Sequence, residues 1–475
     1  MARDFPFYVA GEPCRSSRPL EVLNPFDGSP AGRTWLAGEE EFERAASAAV
    51  AAATPMRQLA AYERANILAT TSAAIRARRE EIADTLAREA GKPIRDALVE
   101  TDRAVMTFFV ASEEARRISG EAIPMDLAAH GKGRFAVTRR VPIGPVAAIS
   151  PFNFPLNLTA HKLAPAVAAG NPIVLKPATK TPLSALRLAE ILVESGLPPG
   201  AISVLPMDRQ TGDRLVTDER FKLLTFTGSS AVGWGMKSRA GKKRIILELG
   251  GNAGVVVDAS ADVEFAAKRV AAGGFGYSGQ SCISVQRVYV HESVFDAFAS
   301  RLTELVEALK LGDPLDPSTD LGPMIEDGEA DRVDTWIGEA RQAGARVLTG
   351  GKRLGGAMYS PTILTDVPVD ARVCVQEAFA PLVVLSRFSR FEDALAEVNR
   401  SSYGLQAGVF TADLEHTLRA FDGLEVGGVI VNDVPTWRID HMPYGGVKDS
   451  GLGREGPRYT IEEMTELRLM VVNRS

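Results

Sequence analysis

A glutamate closing an apolar run and a cysteine in a glycine- and serine-rich turn are the two residues whose setting suits covalent chemistry. The first is Glu248 in Leu247-Glu248-Leu249-Gly250-Gly251-Asn252; the second is Cys282 in Gly279-Gln280-Ser281-Cys282-Ile283-Ser284. A thiolate attacks acyl carbons as a nucleophile, and a nearby carboxylate relays protons or activates water. The 34 positions between them suit a helix and two loops that fold the chain back on itself. Alone the pair is only suggestive, because a buried cysteine in a globular protein is usually inert packing.

The bulk properties narrow the field. A chain of 475 residues is too long for one core and implies about two to four domains. Its net charge of −6 argues against nucleic acid as a partner. No apolar run approaches the ~20 residues needed to span a bilayer, and Met1-Ala2-Arg3-Asp4-Phe5 lacks the apolar core of a secretory signal. Cys14, Cys282 and Cys374 are scattered and odd in number, which fits a reducing cytoplasm better than a disulfide framework. The five histidines show no ligand spacing, so no metal is expected.

The elements that must position these residues follow from periodicity. Residues 1–40 read as irregular strands and turns, and 40–120 as helical, punctuated by Gly91-Lys92-Pro93. Glu100 and Arg103, three apart on one helix, read as a surface ion pair. Two short strand candidates at 122–125 and 134–139 make a hairpin with no core of its own, and the run 468–472 offers it a partner. From 146 to 249, strand-like runs at 146–150, 173–176, 202–205, 223–227 and 245–249 alternate with helical patterns, which predicts a parallel, doubly wound α/β sheet. Ligands of such sheets sit beyond the carboxyl ends of the strands. Lys176-Pro177-Ala178 follows one such end. Gly228-Ser229-Ser230-Ala231-Val232-Gly233 follows another and opens a helix, whose N-terminus suits a pyrophosphate. A second α/β region begins after Asn252, with strands at 255–257, 285–290, 382–388 and 429–432, and the stretch 312–324 reads as a surface loop.

With both flanking motifs written as they are, the chain resembles the aldehyde dehydrogenase superfamily over nearly its whole length. The resemblance implies a Rossmann-like cofactor domain (1–118 and 141–250), a catalytic domain (251–456) and a β bridging element (119–140 and 457–475) that joins subunits into a homodimer or homotetramer. It implies oxidation of an aldehyde to its acid through a cysteine thioester, with NAD or NADP as cofactor. Cys282 matches the nucleophile, Glu248 the base that releases the acyl group, and Asn153, in Ser150-Pro151-Phe152-Asn153-Phe154-Pro155, the oxyanion donor. Lys176 matches the residue at the adenosine ribose. Gly228, Ser229 and Gly233 match the pyrophosphate loop, and Glu377 and Phe379 the residues at the nicotinamide ribose. NAD-strict relatives carry a glutamate three residues after the lysine. This chain has Thr179 there, then Lys180, so a 2′-phosphate is not repelled and both cofactors are expected.

For the pocket, the matching positions are His161, Ser281 beside the nucleophile, and Arg438. The run Trp437-Arg438-Ile439-Asp440-His441-Met442-Pro443-Tyr444-Gly445-Gly446 is similar to the branch with lactaldehyde, phosphonoacetaldehyde and non-phosphorylating glyceraldehyde-3-phosphate dehydrogenases. A cationic, polar pocket suits a small hydroxylated or anionic aldehyde, succinate semialdehyde included. The alternatives for these positions are structural: Arg438 tied to Asp440 or another carboxylate, and His161 a satisfied polar core residue. For the whole chain they are an acylating enzyme that passes the thioester to coenzyme A, or an inactive binding relative.

Overall fold

The computed structural model describes residues 3–474, built around two large sheets with helices packed against them. Across the first, the strands run Glu12–Cys14, Phe7–Val9, Ile202–Val204, Ile173–Lys176, Val146–Ile149, Leu223–Thr227, Arg244–Glu248 and Gly451–Leu452. The five from Ile202–Val204 to Arg244–Glu248 are mutually parallel. In Val146–Ile149 and Leu223–Thr227 every residue is buried, so both faces are covered, as unbroken apolar runs require. The chain order reverses beside Val146–Ile149: it steps outward to Ile202–Val204, then returns to place Leu223–Thr227 on the opposite side. A ligand crevice belongs at such a reversal.

The second sheet is ordered Arg346–Thr349, Thr362–Thr365, Leu382–Phe388, Val285–His291, Ala253–Val257, Gln406–Phe410 and Gly428–Val431. The four runs expected from periodicity are all in it. Gln406–Phe410 is an internal strand that the sequence pattern misses. Gln-Ala-Gly-Val-Phe has little β-branched character and no alternation, and its neighbours on both sides supply the pairing. The expected α/β class is thus observed in both sheets. Thr465–Asn473 pairs along Arg134–Pro142, with Ala122–Ile123 on the other edge, so the hairpin does find its partner at the end of the chain.

Two expectations on the helical side are overturned. The helix Ile94–Ala115 packs against Asn157–Ala169, which is buried along its whole length. Glu100 lies on the packed face and is 1% exposed; it pairs with the buried Lys92 and not with Arg103. Arg103 reaches instead to Asp440. Helical spacing puts both residues on one side but does not say what stands opposite. Here the N–H groups of Leu156 and Asn157 do, and they claim the carboxylate. The 312–324 stretch is likewise only half a surface loop. Leu321 to Met324 are buried, and the Gly322 carbonyl accepts a hydrogen bond from Ser278 Oγ just before the cysteine.

Candidate active site

Glu248 ends its strand, level with Thr227 on one side and Gly451 on the other. Five residues further, the chain has crossed into the second sheet at Ala253–Val257. Cys282 follows a tight turn, Gly276–Gly279, in which Tyr277 and Ser278 take left-handed backbone angles (φ +47° and +54°). The surrounding structure holds that strain: Tyr277 Oη donates to the Ala90 carbonyl at 2.9 Å, and Gln280 Oε1 accepts from Ile325 N at 2.8 Å. Glycines let the two motifs meet. A Cβ at Gly251 would overlap the Cys282 carbonyl, and one at Gly250 would overlap the Glu377 carboxylate.

The three residues expected to do chemistry converge here. Cys282 and Glu248 line one cavity of about 220 Å³ with Phe154, Ser281, Arg438 and Tyr444. Asn153 Nδ2 donates to the Gln280 carbonyl at 3.0 Å, which sets its amide against the turn that carries the cysteine. Both carboxylate oxygens of Glu248 are buried without a hydrogen-bond partner. Burial, then the neighbouring Glu455, holds that carboxyl well above the usual range. Glu455 stays low: burial opposes its charge, but Lys162, with Nζ 3.3 Å away, and then His161 and Arg438 outweigh it. Burial pushes the Cys282 thiol up to about 12, against its hydrogen bond with the Tyr444 hydroxyl, Sγ to Oη 3.0 Å.

Of the residues expected at the cofactor, Lys176 ends a strand of the first sheet and Thr179, Gly228 and Ser229 follow such strands, while Glu377 and Phe379 precede Leu382–Phe388 of the second. Lys176 is partly buried, its ammonium reaching only the Pro177 carbonyl at 3.4 Å, so it keeps its donors for a ligand. Ser229 precedes the helix Ser230–Lys237, and its side chain makes no capping bond. Gly228 N donates to the Glu248 carbonyl at 3.0 Å, which ties this loop to the site. Gly233 lets the helix sit on Leu249, where a Cβ would collide. Glu377 accepts from Gly251 N at 2.9 Å, and burial raises it to about 7. Phe379 has a left-handed φ of +47°, and its ring stands edge-on to Phe152, centroids 5.8 Å apart. A donor loop at a helix start, an uncommitted ammonium and a carboxylate beyond them fit a dinucleotide with its sugars and pyrophosphate. Thr179 is exposed. The neighbouring Lys180 is already paired with Glu326 at 2.8 Å.

Around the pocket the arrangement is more specific than the sequence suggests. Arg438 is not tied to Asp440. It lies 3.6 Å above the Tyr444 ring and is ion-paired with another carboxylate, Glu455, at 3.4 Å, with His161 at 3.3 Å; among the described residues its buried Nε has no hydrogen-bond partner. Asp440 is occupied by Arg103, by Asn157 Nδ2 at 2.9 Å and by His161 Nε2 at 2.9 Å. His161 is fully buried behind Arg438 and is not among the residues lining the cavity; burial depresses its pKa. Sequence reasoning missed Arg103, which does line the cavity, and it gave Tyr444 and Glu455 no role. Tyr444 stands in the 437–446 run singled out for the pocket, and Glu455 between Gly453 and Gly456; polar residues flanked by glycines were the available signal. A larger cavity of about 560 Å³ lies around Cys374 and Arg287, but that guanidinium is already engaged by Asn252, Tyr289 and two backbone carbonyls.

Comparison with known proteins agrees with this geometry. The profile of the Aldehyde dehydrogenase family matches residues 13–470. The 3-sulfolactaldehyde dehydrogenase of Priestia megaterium is 46% identical over 472 residues, 99% of this chain and 98% of that protein. The crystal structure of aldehyde dehydrogenase 21 from Physcomitrella patens, in complex with the reaction product succinate, superposes with a TM-score of 0.98 at 46% identity, covering 100% of this chain and 99% of that one. The glyceraldehyde-3-phosphate dehydrogenase GapN of Methanocaldococcus jannaschii, complexed with NADP, gives 0.93 at 38% identity over 96% of this chain and 100% of that one. With the match running almost from end to end and the thiol and carboxylate lining one cavity, the protein belongs to the aldehyde dehydrogenase family, enzymes that oxidise aldehydes with NAD or NADP.

Proposed function

We propose that this enzyme oxidises a small aldehyde bearing a carboxylate, sulfonate or phosphate to the corresponding acid, with Cys282 as nucleophile. The observation that carries the reading is the Arg438 guanidinium, at the cavity wall with Nε buried and unpartnered. Glu455 already pairs with the guanidinium at 3.4 Å, and an anionic substrate group would supply the acceptor that Nε lacks. Arg103, whose side chain is 25% exposed, lines the same cavity, although Asp440 pairs with it. The relatives support it, since their names or bound product carry a sulfonate, a carboxylate or a phosphate.

In this reading the Cys282 thiolate adds to the aldehyde carbon, and the oxyanion takes hydrogen bonds from Asn153 Nδ2 and the Cys282 N–H. When bound, NAD or NADP accepts the hydride. Lys176 would hold the adenosine ribose, Gly228 and Ser229 the pyrophosphate, and Glu377 and Phe379 the nicotinamide ribose. Gly233 lets the loop's helix pack closely. Glu248 then takes a proton from water as it attacks the thioester, and the acid leaves with the thiol restored. Ser281 lines the pocket beside the sulfur, and His161 holds Arg438 and Asp440 in register from behind.

Exposed Leu467, Leu469 and Val471, alternate residues of the last strand, give one side of the three-stranded sheet an apolar face that suits a second subunit, and we assign the enzyme a homodimeric or homotetrameric state. Its three free thiols suit a reducing cytoplasm, and no helix among the described residues is long and apolar enough to cross a membrane. The test is a panel of aldehydes assayed with NAD and NADP, with and without coenzyme A. Succinate semialdehyde and 3-sulfolactaldehyde should exceed propanal in kcat/KM by at least roughly ten-fold, the worth of one charge-assisted bond. Equal turnover of propanal removes the anionic assignment, and strict dependence on coenzyme A removes hydrolysis.

A further inference from the structure

We propose that the Tyr444 hydroxyl donates the hydrogen bond that holds the Cys282 thiolate, which makes Tyr444 a catalytic residue of this enzyme. The inference rests on Cys282 being the nucleophile and adds to it a donor at the reacting atom. Tyr444 Oη lies 3.0 Å from Cys282 Sγ, and among the described residues no other polar group is within hydrogen-bond reach of that hydroxyl. The ring is 3% exposed and packed with Ile283, Leu405 and Met442, while the Arg438 guanidinium covers its face at 3.6 Å. Its backbone is pinned on both sides: Tyr444 N donates to the Glu455 carbonyl at 3.0 Å, and Glu455 N donates to the Tyr444 carbonyl at 2.6 Å.

The direction of the bond follows from the surroundings. Burial, and then the adjacent sulfur, keep the phenol protonated far above its ordinary range, so the oxygen has a proton to give. Cys282, for its part, is disfavoured as a thiolate by burial and by the carboxylates Glu377 and Glu248, with Arg438 and the Tyr444 bond acting the other way. When the thiol proton leaves to water, sulfur becomes an acceptor already within reach of a fixed donor. No reorganisation is then needed before attack, which is how preorganised donors stabilise developing charge. Phenylalanine at 444 would fill the same space and lack only that donor.

The experiment measures alkylation of Cys282 by iodoacetamide against pH in the full-length enzyme, in which the C–S bond forms, iodide leaves and the thiol proton passes to buffer. Mass spectrometry assigns the modified cysteine. In Tyr444→Phe the midpoint should rise by about one pH unit, so that the rate at neutral pH falls roughly ten-fold, while KM for the cofactor stays unchanged. An unchanged midpoint in a folded variant overturns the proposal. Should the variant not fold, 3-fluorotyrosine placed at 444 decides instead. Its more acidic phenol is a stronger donor and should lower the midpoint; no shift overturns the proposal. Failure of the underlying reading looks different, because Cys282→Ala would then keep its turnover whatever stands at 444.

Discussion

Lys92 and Asn153 are joined side chain to backbone: the buried Lys92 ammonium donates to the Asn153 carbonyl at 2.8 Å. The same ammonium is paired with Glu100, whose other oxygen accepts the N–H groups of Leu156 and Asn157 at 3.0 and 3.1 Å. Lys92 also sits over the rings of Phe154 and Tyr277. One ion pair therefore fixes the loop bearing the amide and touches the turn that precedes the cysteine. Lys92→Met should lower stability by about 3–5 kcal/mol, because it leaves a buried carboxylate uncompensated. Glu100→Gln should cost less, since an amide oxygen still accepts from the helix N–H groups. Urea denaturation measures both, and a Lys92→Met enzyme with unchanged stability and kcat would remove the ion pair as the anchor.

Glu248→Gln should release a burst of reduced cofactor followed by a slow steady state. The carboxylate is needed for thioester hydrolysis, after hydride transfer. Stopped-flow absorbance reads both phases. If the burst slows as much as the steady state, Glu248 acts before the hydride leaves.

Thr179→Glu should shift cofactor preference toward NAD by supplying a carboxylate for the 2′-hydroxyl and repelling the 2′-phosphate. Lys180 is committed to Glu326, so the present tolerance of NADP rests on the missing carboxylate more than on that lysine. The ratio of kcat/KM for the two cofactors is the measurement. No change would put the adenosine ribose away from Lys176.

Arg438→Leu should cut kcat/KM for an anionic aldehyde by roughly ten- to a hundred-fold, the worth of one charge-assisted bond, and affect propanal far less. Equal losses on both substrates, together with a lower melting temperature, would make Arg438 a structural partner of Glu455.

The pH dependence of stability offers a separate check on the Glu377 environment. Burial raises this carboxyl from 4.5 to about 7, so the folded state holds the proton more tightly than the unfolded chain. Its contribution is fully present below pH 4.5 and is lost as pH rises through about 7. Glu377→Gln should therefore gain stability relative to wild type over that window, and a parallel pair of melting curves from pH 4.5 to 7.5 would falsify the assignment.

The sequence by itself determined the family and most of the frame. Glu248, Cys282 and Asn153 stand in local motifs whose turns demand particular residues, and the parallel strands are continuous apolar runs because both their faces are covered. Local pattern carries that kind of information. It does not carry what faces a side chain from a distant segment. Glu100 and Arg103 share a helix, yet one pairs with Lys92 and the other with Asp440, 337 positions away. His161 lies behind the cavity and Arg438 on its wall, although neither has a distinguishing neighbour in sequence. Gln406–Phe410 is a strand because its neighbours on both sides pair with it. The thiol's hydroxyl partner, Tyr444, arrives from a turn 162 residues on. Only packing brings such groups together, because desolvating a charge or a thiol is tolerable only where the folded chain supplies the matching partner.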